Sequence, residues 1–224
     1  MLHRILLPVL LLLLGVSATG SAQRRRPGEG RPREAPQGAT TPRWFASAGP
    51  GMQWGPYIVD DASQSIWDFN AGFSLRGSIE REVAPLLAVG LAFNYARLPL
   101  DFERTAQVIT GCRVCAADAT VSSYGAVMRY GGGQGFHQVI EGFVGALRYG
   151  NFTLAAGGEG DPVITNTDFA FGGGFGFAYG IAPDWQVQLI QDGLYAVHER
   201  STLGLGGGRI VRHFNTRLAL RIGF

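Results

Sequence analysis

The chain has 224 residues, a formal net charge of +2 and only 16% charged residues. An ordinary soluble chain carries about 25% charged residues, so this one has fewer charges than a fully solvated surface usually needs. A net charge this close to zero gives no electrostatic basis for binding nucleic acid, and no such partner is expected.

Residues 1–22 have the three parts of a secretory signal peptide. Arg4 ends a short basic start, residues 5–14 are almost entirely Leu, Ile and Val, and residues 20–22 form a small-residue cleavage site. The apolar run is too short to span a bilayer as a helix, which argues against an uncleaved anchor. We therefore predict cleavage after Ala22 and export of the mature protein.

Residues 23–42 are rich in arginine, proline and glycine and contain almost nothing apolar. A segment of this composition cannot form a hydrophobic core, so we predict that it is disordered. Its arginines, among them Arg24, Arg25 and Arg26, either contact an anionic surface or belong to a solvated spacer.

The remainder of the chain shows the alternation of β-strands. A two-residue period means that the two faces of a strand meet different media. Apolar residues alternate with small or polar residues in segments 65–80, 87–96, 123–130, 169–179 and 213–224.

The composition of the second face indicates which medium touches the apolar face. A soluble barrel of the lipocalin type has its apolar side chains inside and an exterior rich in Lys and Glu. Here the second face carries mostly Gly, Ala, Ser and Asn with isolated arginines, which favours a barrel with lipid outside. We therefore predict that Phe69, Phe93, Phe175 and Leu220 face lipid and that the arginine side lines the lumen.

Three further strands bring the total to about eight. Residues 44–55 and 137–149 each form one, although Glu141 fits either face of the second. The apolar phase changes within residues 187–196, which predicts a β-bulge near residues 190–191. An even number of antiparallel strands brings both chain ends to one rim, as closure of a barrel requires.

The connections alternate between short turns, near Arg81, Gly131 and Ile181, and longer loops, which lie near Pro56 and over residues 98–118, 151–167 and 201–211. Together with the signal peptide and the C-terminal Phe224, this pattern resembles the small outer-membrane β-barrel proteins of Gram-negative bacteria. The resemblance implies an all-β fold over residues 43–224, namely a closed antiparallel up-and-down transmembrane β-barrel of about eight strands in the outer membrane.

The same resemblance implies partners. The last strand of such barrels ends in an aromatic residue that the barrel-assembly machinery recognises, a role that falls on Phe224. Outer-membrane lipids and lipopolysaccharide would surround the barrel, and residues 23–42 would lie in the periplasm. The ligand of the extracellular loops is unknown.

The lumen is expected to be filled. Side chains just fill the interior of an eight-stranded barrel, so no open diffusion pore is expected, and buried charges there must be paired. The alternative is a narrow channel for protons or ions. We predict a lumen charge network formed by Asp68, Arg76, Glu80, Arg129, Arg148, Arg217 and Arg221. Asp192 is a further candidate for this network.

Cys112 and Cys115 lie in a long connection, and two cysteines in an exported chain predict a disulfide. Ala116, which stands where the haem-attachment pattern has His, excludes that pattern, and two thiols alone make a poor zinc site. No metal and no cofactor are expected.

His198 and Ser201 resemble part of the site of the lipid A deacylases, eight-stranded barrels that carry Ser, His and Glu on their outer wall. Those enzymes place His and Ser two residues apart on one strand face, whereas here they are three apart, and the neighbours His198 and Glu199 point to opposite faces. We therefore predict no enzyme, but an integral outer-membrane barrel with a structural or surface-interaction role through its extracellular loops. A lipid A-modifying enzyme is the alternative.

Overall fold

The computed structural model describes residues 43–104, 114–155, 164–182, 184–198 and 210–224. The predicted signal peptide (1–22) and basic segment (23–42) lie outside this part of the chain. The described residues contain no helix long and apolar enough to cross a membrane. Their strands are β1 (Trp44–Trp54), β2 (Tyr57–Asp60), β3 (Ser65–Phe69), β4 (Gly72–Ala84), β5 (Leu87–Arg104), β6 (Val114–Tyr130), β7 (Gly135–Leu154), β8 (Asn166–Ala182), β9 (Trp185–Val197) and β10 (Ile210–Gly223).

Eight of these strands, β1 and β4 to β10, close into an antiparallel barrel, which confirms the predicted fold. β1 pairs with both β4 and β10, and β5 pairs with β6, so the ring of pairings is complete. β2 and β3 form a hairpin that continues β1 and β4 beyond this ring. β3 pairs with β5 next to the β4–β5 ladder.

Both ends of the barrel chain meet at one rim. The Trp44 N–H donates to the Phe224 carbonyl at 3.1 Å, and the Phe224 N–H donates to the Trp44 carbonyl at 2.8 Å. The turns β4–β5, β6–β7 and β8–β9 lie at the same rim, and Gly131 begins the second of them with a φ of 123° that favours glycine. In outer-membrane barrels the rim with the short turns faces the periplasm. The β2–β3 hairpin and the longer connections are then extracellular.

The strands reach farther toward the extracellular side than the sequence predicted. β5 runs to Arg104 and β6 begins at Val114, so the long connection predicted over residues 98–118 is wrong at both ends. The connection predicted over residues 151–167 is wrong for the same reason. These residues belong to strands, but their apolar side chains point mostly into the barrel and not outward, as they would on a wall that faces lipid.

On the periplasmic half of the barrel, apolar side chains point outward and small or polar side chains point inward. Phe93 and Phe175 are 51% and 48% exposed, and Leu220 is also exposed, as predicted for lipid-facing residues. The residues with this pattern, which we call the membrane-spanning segments, are 44–54, 72–83, 87–95, 124–130, 136–146, 169–181, 185–195 and 214–224.

Beyond these segments the polarity of the barrel wall is reversed. Apolar side chains fill the interior, and charged side chains such as Arg97 and Asp118 lie outside. Water rather than lipid surrounds this end, so it is arranged like a soluble β-barrel. The apolar filling, which we call the extracellular core, includes Ile58, Trp67, Phe69, Leu98, Leu100, Phe102, Val121, Leu147, Tyr149, Phe152 and Val211.

The reversal overturns the predicted positions of Phe69 and Asp68. Phe69 is only 6% exposed and belongs to the extracellular core, whereas Asp68 points outward. Asn70 and Ala71 separate β3 from β4 and shift the two-residue phase by one position. The alternation read continuously through residues 65–80 is therefore wrong for β3.

The predicted β-bulge near Ile190 and Gln191 is also wrong. β9 pairs with β10 without a register shift along its whole length. Leu194 and Ala196 lie on the same inward face as Ile190, because the interior changes from polar to apolar along this strand. The apparent change of phase in the sequence therefore reflects this change of the interior from polar to apolar, and not a break in the strand.

Candidate functional site

In the part of the chain that the structure describes, two clusters of charged side chains lie inside the barrel, and the larger one is at the level of the membrane. Its centre is Glu141 on β7, which is 4% exposed. The Glu141 carboxylate pairs with Arg76 Nη2 at 3.2 Å and with Arg217 Nη2 at 2.5 Å, and it also contacts the Arg129 guanidinium. These arginines lie on β4, β10 and β6. β6 is the neighbour of β7, whereas β4 and β10 are not, so the contacts of Arg76 and Arg217 with Glu141 cross the interior of the barrel.

Two more carboxylates complete the cluster. Glu80 pairs with Arg221 Nη2 at 3.0 Å. Asp192 pairs with Arg217 Nε at 2.8 Å and with Arg76 Nη1 at 3.3 Å. With four arginines and three carboxylates, the cluster has one positive charge in excess. The lumen charge network consists of Arg76, Glu80, Arg129, Glu141, Asp192, Arg217 and Arg221.

Asp68 and Arg148 were predicted to belong to this network, and the structure places both elsewhere. Each is exposed on the outer face of its strand, beyond the membrane-spanning segments. The prediction failed because it assumed that lipid surrounds the whole length of each strand. The structure brings together the other predicted residues, which are Arg76, Glu80, Arg129, Arg217, Arg221 and the further candidate Asp192. It adds Glu141, which the sequence did not place.

A small cavity separates the lumen charge network from the extracellular core. Its volume is about 30 Å³, and its lining includes Gln53, Asn94 and His213. Asn94 Nδ2 donates to Gln53 Oε1 at 2.9 Å, and the Tyr149 hydroxyl lies 2.8 Å from His213 Nε2. A space of this size is large enough for an ordered water molecule but far smaller than a solute channel.

The second cluster lies at the extracellular end, where His198 is held between two aspartates. His198 Nδ1 is 2.8 Å from Asp168 Oδ2, and Nε2 is 3.4 Å from Asp60 Oδ1. Asp60 also accepts the Ser63 N–H at 3.0 Å, and Asn166 donates to Asp168. Asp60 is on β2, Asp168 is on β8 and His198 follows β9, so these three residues, which we call the histidine clamp, tie three segments together.

The two aspartates keep the His198 imidazole protonated. Burial lowers the pKa of His198, but its interactions with Asp168 and Asp60 outweigh burial and raise the pKa to about 9. Burial raises the pKa of Asp60, but His198 and Ser63 outweigh that effect and hold the pKa below its ordinary value. At neutral pH the histidine clamp is therefore one positive charge between two negative charges.

Comparison with known proteins agrees with this architecture. No protein-family model and no curated protein matches the sequence. Neisserial surface protein A (NspA) is 14% identical in a match that covers 81% of this chain and 97% of that chain, with a TM-score of 0.53. The outer membrane protein OprG from Pseudomonas aeruginosa is 12% identical over 81% of this chain and 95% of that chain, with a TM-score of 0.50. The protein therefore has the fold of the eight-stranded outer-membrane β-barrels.

The position of His198 in this outer-membrane barrel bears on the lipid A deacylase alternative. Such an enzyme needs its histidine on the outer wall, where acyl chains reach it. His198 is 1% exposed and lies inside the barrel, between Asp60 and Asp168. Ser201, its predicted partner, lies outside the described residues.

The remaining predicted sites are at the two ends of the barrel. Phe224 is 74% exposed at the periplasmic rim, and its role in assembly stays a prediction. Cys115, near the start of β6, is disulfide-bonded, while its predicted partner Cys112 lies outside the described residues. In the part of the chain that the structure describes, no group of three or more His, Cys, Asp or Glu residues could hold a metal ion.

Proposed function

We propose that the protein is a structural and surface-interaction component of the outer membrane, which acts through its extracellular end and has no open diffusion pore. The observation that carries this proposal is the filling of the interior at two levels. At the membrane level, Glu141 meets Arg76 and Arg217 across the lumen and Arg129 on the neighbouring strand, and beyond this layer the extracellular core fills the barrel. A solute would have to disrupt both layers to pass.

The extracellular end is suited to hold loops away from the membrane. The β5–β6 ladder continues from Ala96 to Glu103, about 25 Å along the strand. A packed apolar core beneath these strands restricts their motion. Loops on a rigid scaffold commonly carry recognition, which supports an interaction role for the connections that follow Arg104, Leu154 and His198.

The outer face just above the membrane-spanning segments supports contact with lipopolysaccharide. Arg148 is exposed there and has no ion-pair partner among the described residues. Its cross-strand neighbours are Ser122 and Thr167, and Arg97 lies on the same face in an exposed pair with Asp118. Guanidinium and hydroxyl groups are suitable donors to a phosphate. A phosphate of lipopolysaccharide at Arg148 is therefore part of the proposal.

The C-terminal strand is proposed to contact the barrel-assembly machinery. Phe214, Leu218 and Phe224 are exposed on its outer face, and β10 pairs with β1 to close the ring. A substitution Phe224→Ala should lower the amount of heat-modifiable barrel in the outer-membrane fraction. An unchanged amount would remove Phe224 from the proposal.

Planar bilayer recording tests the absence of a pore. The purified full-length protein is expected to insert and produce no single-channel steps, because the lumen charge network and the extracellular core fill the interior. Stable steps of one reproducible conductance would contradict the proposal and favour the narrow-channel alternative.

Native mass spectrometry of the purified barrel tests the lipopolysaccharide contact. Arg148→Ala should retain less lipopolysaccharide than the wild type, by about tenfold if one charge-assisted contact is lost. Arg81→Ala, which removes an exposed arginine at the periplasmic rim, is the matched control and should retain the wild-type amount. Equal retention by the two variants would remove this contact.

A further inference from the structure

The lipid-facing wall has a groove on its periplasmic half, formed by β1, β4, β5 and β6. Its volume is about 950 Å³ and its lining is almost entirely apolar. Ala46 and Gly77 form its floor, because they are small outward-facing residues between larger ones. Leu91 and Phe93 form one wall, and they are 70% and 51% exposed.

The packing of the barrel does not explain the glycine in this floor. A Cβ atom added at Gly77 would meet nothing closer than the Ser47 carbonyl oxygen at 3.5 Å, an ordinary contact. At Gly90 on the neighbouring strand, an added Cβ would lie 1.9 Å from the Ile79 carbonyl oxygen, so the backbone itself requires glycine there. The absence of a side chain at Gly77 deepens the groove without serving the fold.

A cation stands at the periplasmic end of the groove. Arg81 is exposed on the outer face of β4, opposite Trp44 on β1, and its guanidinium lies 5.7 Å from the centroid of the Trp44 ring. No carboxylate pairs with Arg81 among the residues that the structure describes. Arg43, also at this rim, pairs with Asp184 at 3.1 Å and is therefore less available to an anion.

The groove fits within one leaflet. Val89 on β5 lies opposite Arg81, and the four residues from there to Phe93 extend about 13 Å along the strand, which is about 10 Å of membrane depth at the usual strand tilt. One leaflet contributes about 15 Å to the hydrocarbon core of a bilayer. One end of the groove therefore lies near the head groups of the periplasmic leaflet and the other near the middle of the membrane.

We propose that this groove binds one phospholipid of the periplasmic leaflet, with its acyl chains against Ala46 and Gly77 and its phosphate at Arg81. The occupant follows from two observations. The groove is continuous with the surface that lipid already covers, and its only charged lining residue is a cation at head-group depth. The proposal depends on the membrane position of the barrel and not on the proposed surface role, so either can fail without the other.

Native mass spectrometry of the full-length protein, purified in a mild detergent, tests the site. The wild type should retain one phospholipid, and Gly77→Leu and Arg81→Gln should each lower that retention by about tenfold. Gly142→Leu is the matched control, because Gly142 faces outward on β7 and an added Cβ would meet only Met128 Cε at 3.8 Å. The control should retain phospholipid as the wild type does.

Heat-modifiable migration on gels establishes that each variant is a closed barrel, so loss of lipid cannot be mistaken for failure to fold. The proposal is overturned if Gly77→Leu and Gly142→Leu retain the same amount, or if the wild type retains no phospholipid. It is also overturned if the lipid that Gly77→Leu displaces is lipopolysaccharide, because that lipid belongs to the other leaflet. Loss of lipopolysaccharide from Arg148→Ala alone would leave this site untouched.

Discussion

Glu141 and Arg129 face each other in the β6–β7 ladder, are 4% and 1% exposed, and bring their charged groups into direct contact. Both lie in membrane-spanning segments, where an unpaired charge is costly. Glu141 also contacts Arg76 and Arg217. Loss of this one carboxylate would leave three guanidinium groups with fewer partners.

Glu141→Ala is therefore expected to lower the free energy of unfolding by about 3 to 5 kcal/mol, the usual cost of removing one partner from a buried ion pair. Denaturant unfolding of the barrel in lipid vesicles, followed by tryptophan fluorescence, measures this quantity. Asp118→Ala, which removes the acid of the exposed pair with Arg97, is the control and should cost about 0 to 1 kcal/mol. Similar costs for the two variants would show that the Glu141 contacts do not form a buried layer.

The reversal of wall polarity gives a labelling prediction. Arg148→Cys should react with a membrane-impermeant maleimide added to intact cells, because Arg148 is exposed to water outside the membrane. Phe69→Cys should stay unlabelled because it lies in the extracellular core, and Phe93→Cys because lipid covers it. Labelling of Phe69→Cys as strong as that of Arg148→Cys would mean that the extracellular end is not packed as described.

Much of the fold could be predicted because, within the membrane-spanning segments, each face of a strand is in contact with the same medium throughout. Phe175 on β8 and Leu220 on β10 face outward as predicted, since their membrane-spanning segments meet lipid on one side and the polar lumen on the other. Asp68 on β3 and Leu194 on β9 were misassigned. A two-residue period shows that two faces differ, but it does not show which medium touches each face or where that medium changes.

The interior clusters could be predicted only in part. The phase of a strand is enough to place Arg76 or Arg217 in the lumen. The position of Glu141 depends on its register with Arg129, and the histidine clamp depends on contacts between β2, β8 and the end of β9. Such contacts between distant segments leave no periodic pattern in a single sequence.

Two glycines of neighbouring strands should respond differently to the same substitution. Gly90→Ala is expected to reduce assembly, because its Cβ would lie 1.9 Å from the Ile79 carbonyl oxygen and the strand would have to move. Gly77→Ala should assemble like the wild type, since its Cβ finds only an ordinary contact at 3.5 Å. The heat-modifiable fraction in outer membranes reports both. Poor assembly of Gly77→Ala would contradict the view that the fold does not need this glycine.

The histidine clamp should make the barrel less stable at alkaline pH. The pKa of His198 in the folded state is about 9, above the ordinary value of about 6.5. The clamp therefore contributes fully below about pH 6.5, and its contribution, at most about 3 kcal/mol, is lost as the pH rises through 9. The lowered pKa of Asp60 has the opposite sign, so its contribution is present above about pH 4 and is lost in stronger acid.

The thermal unfolding midpoint between about pH 7 and about pH 10 measures the alkaline loss. The wild type should lose stability in this range, and His198→Gln should lose less, because a glutamine has no proton to give up. Asp168→Asn should move the alkaline loss to lower pH, since removal of one carboxylate lowers the pKa of His198. If the midpoints of the wild type and His198→Gln fall in parallel, the clamp is not the titrating element, and His198 only fills space between β2 and β8.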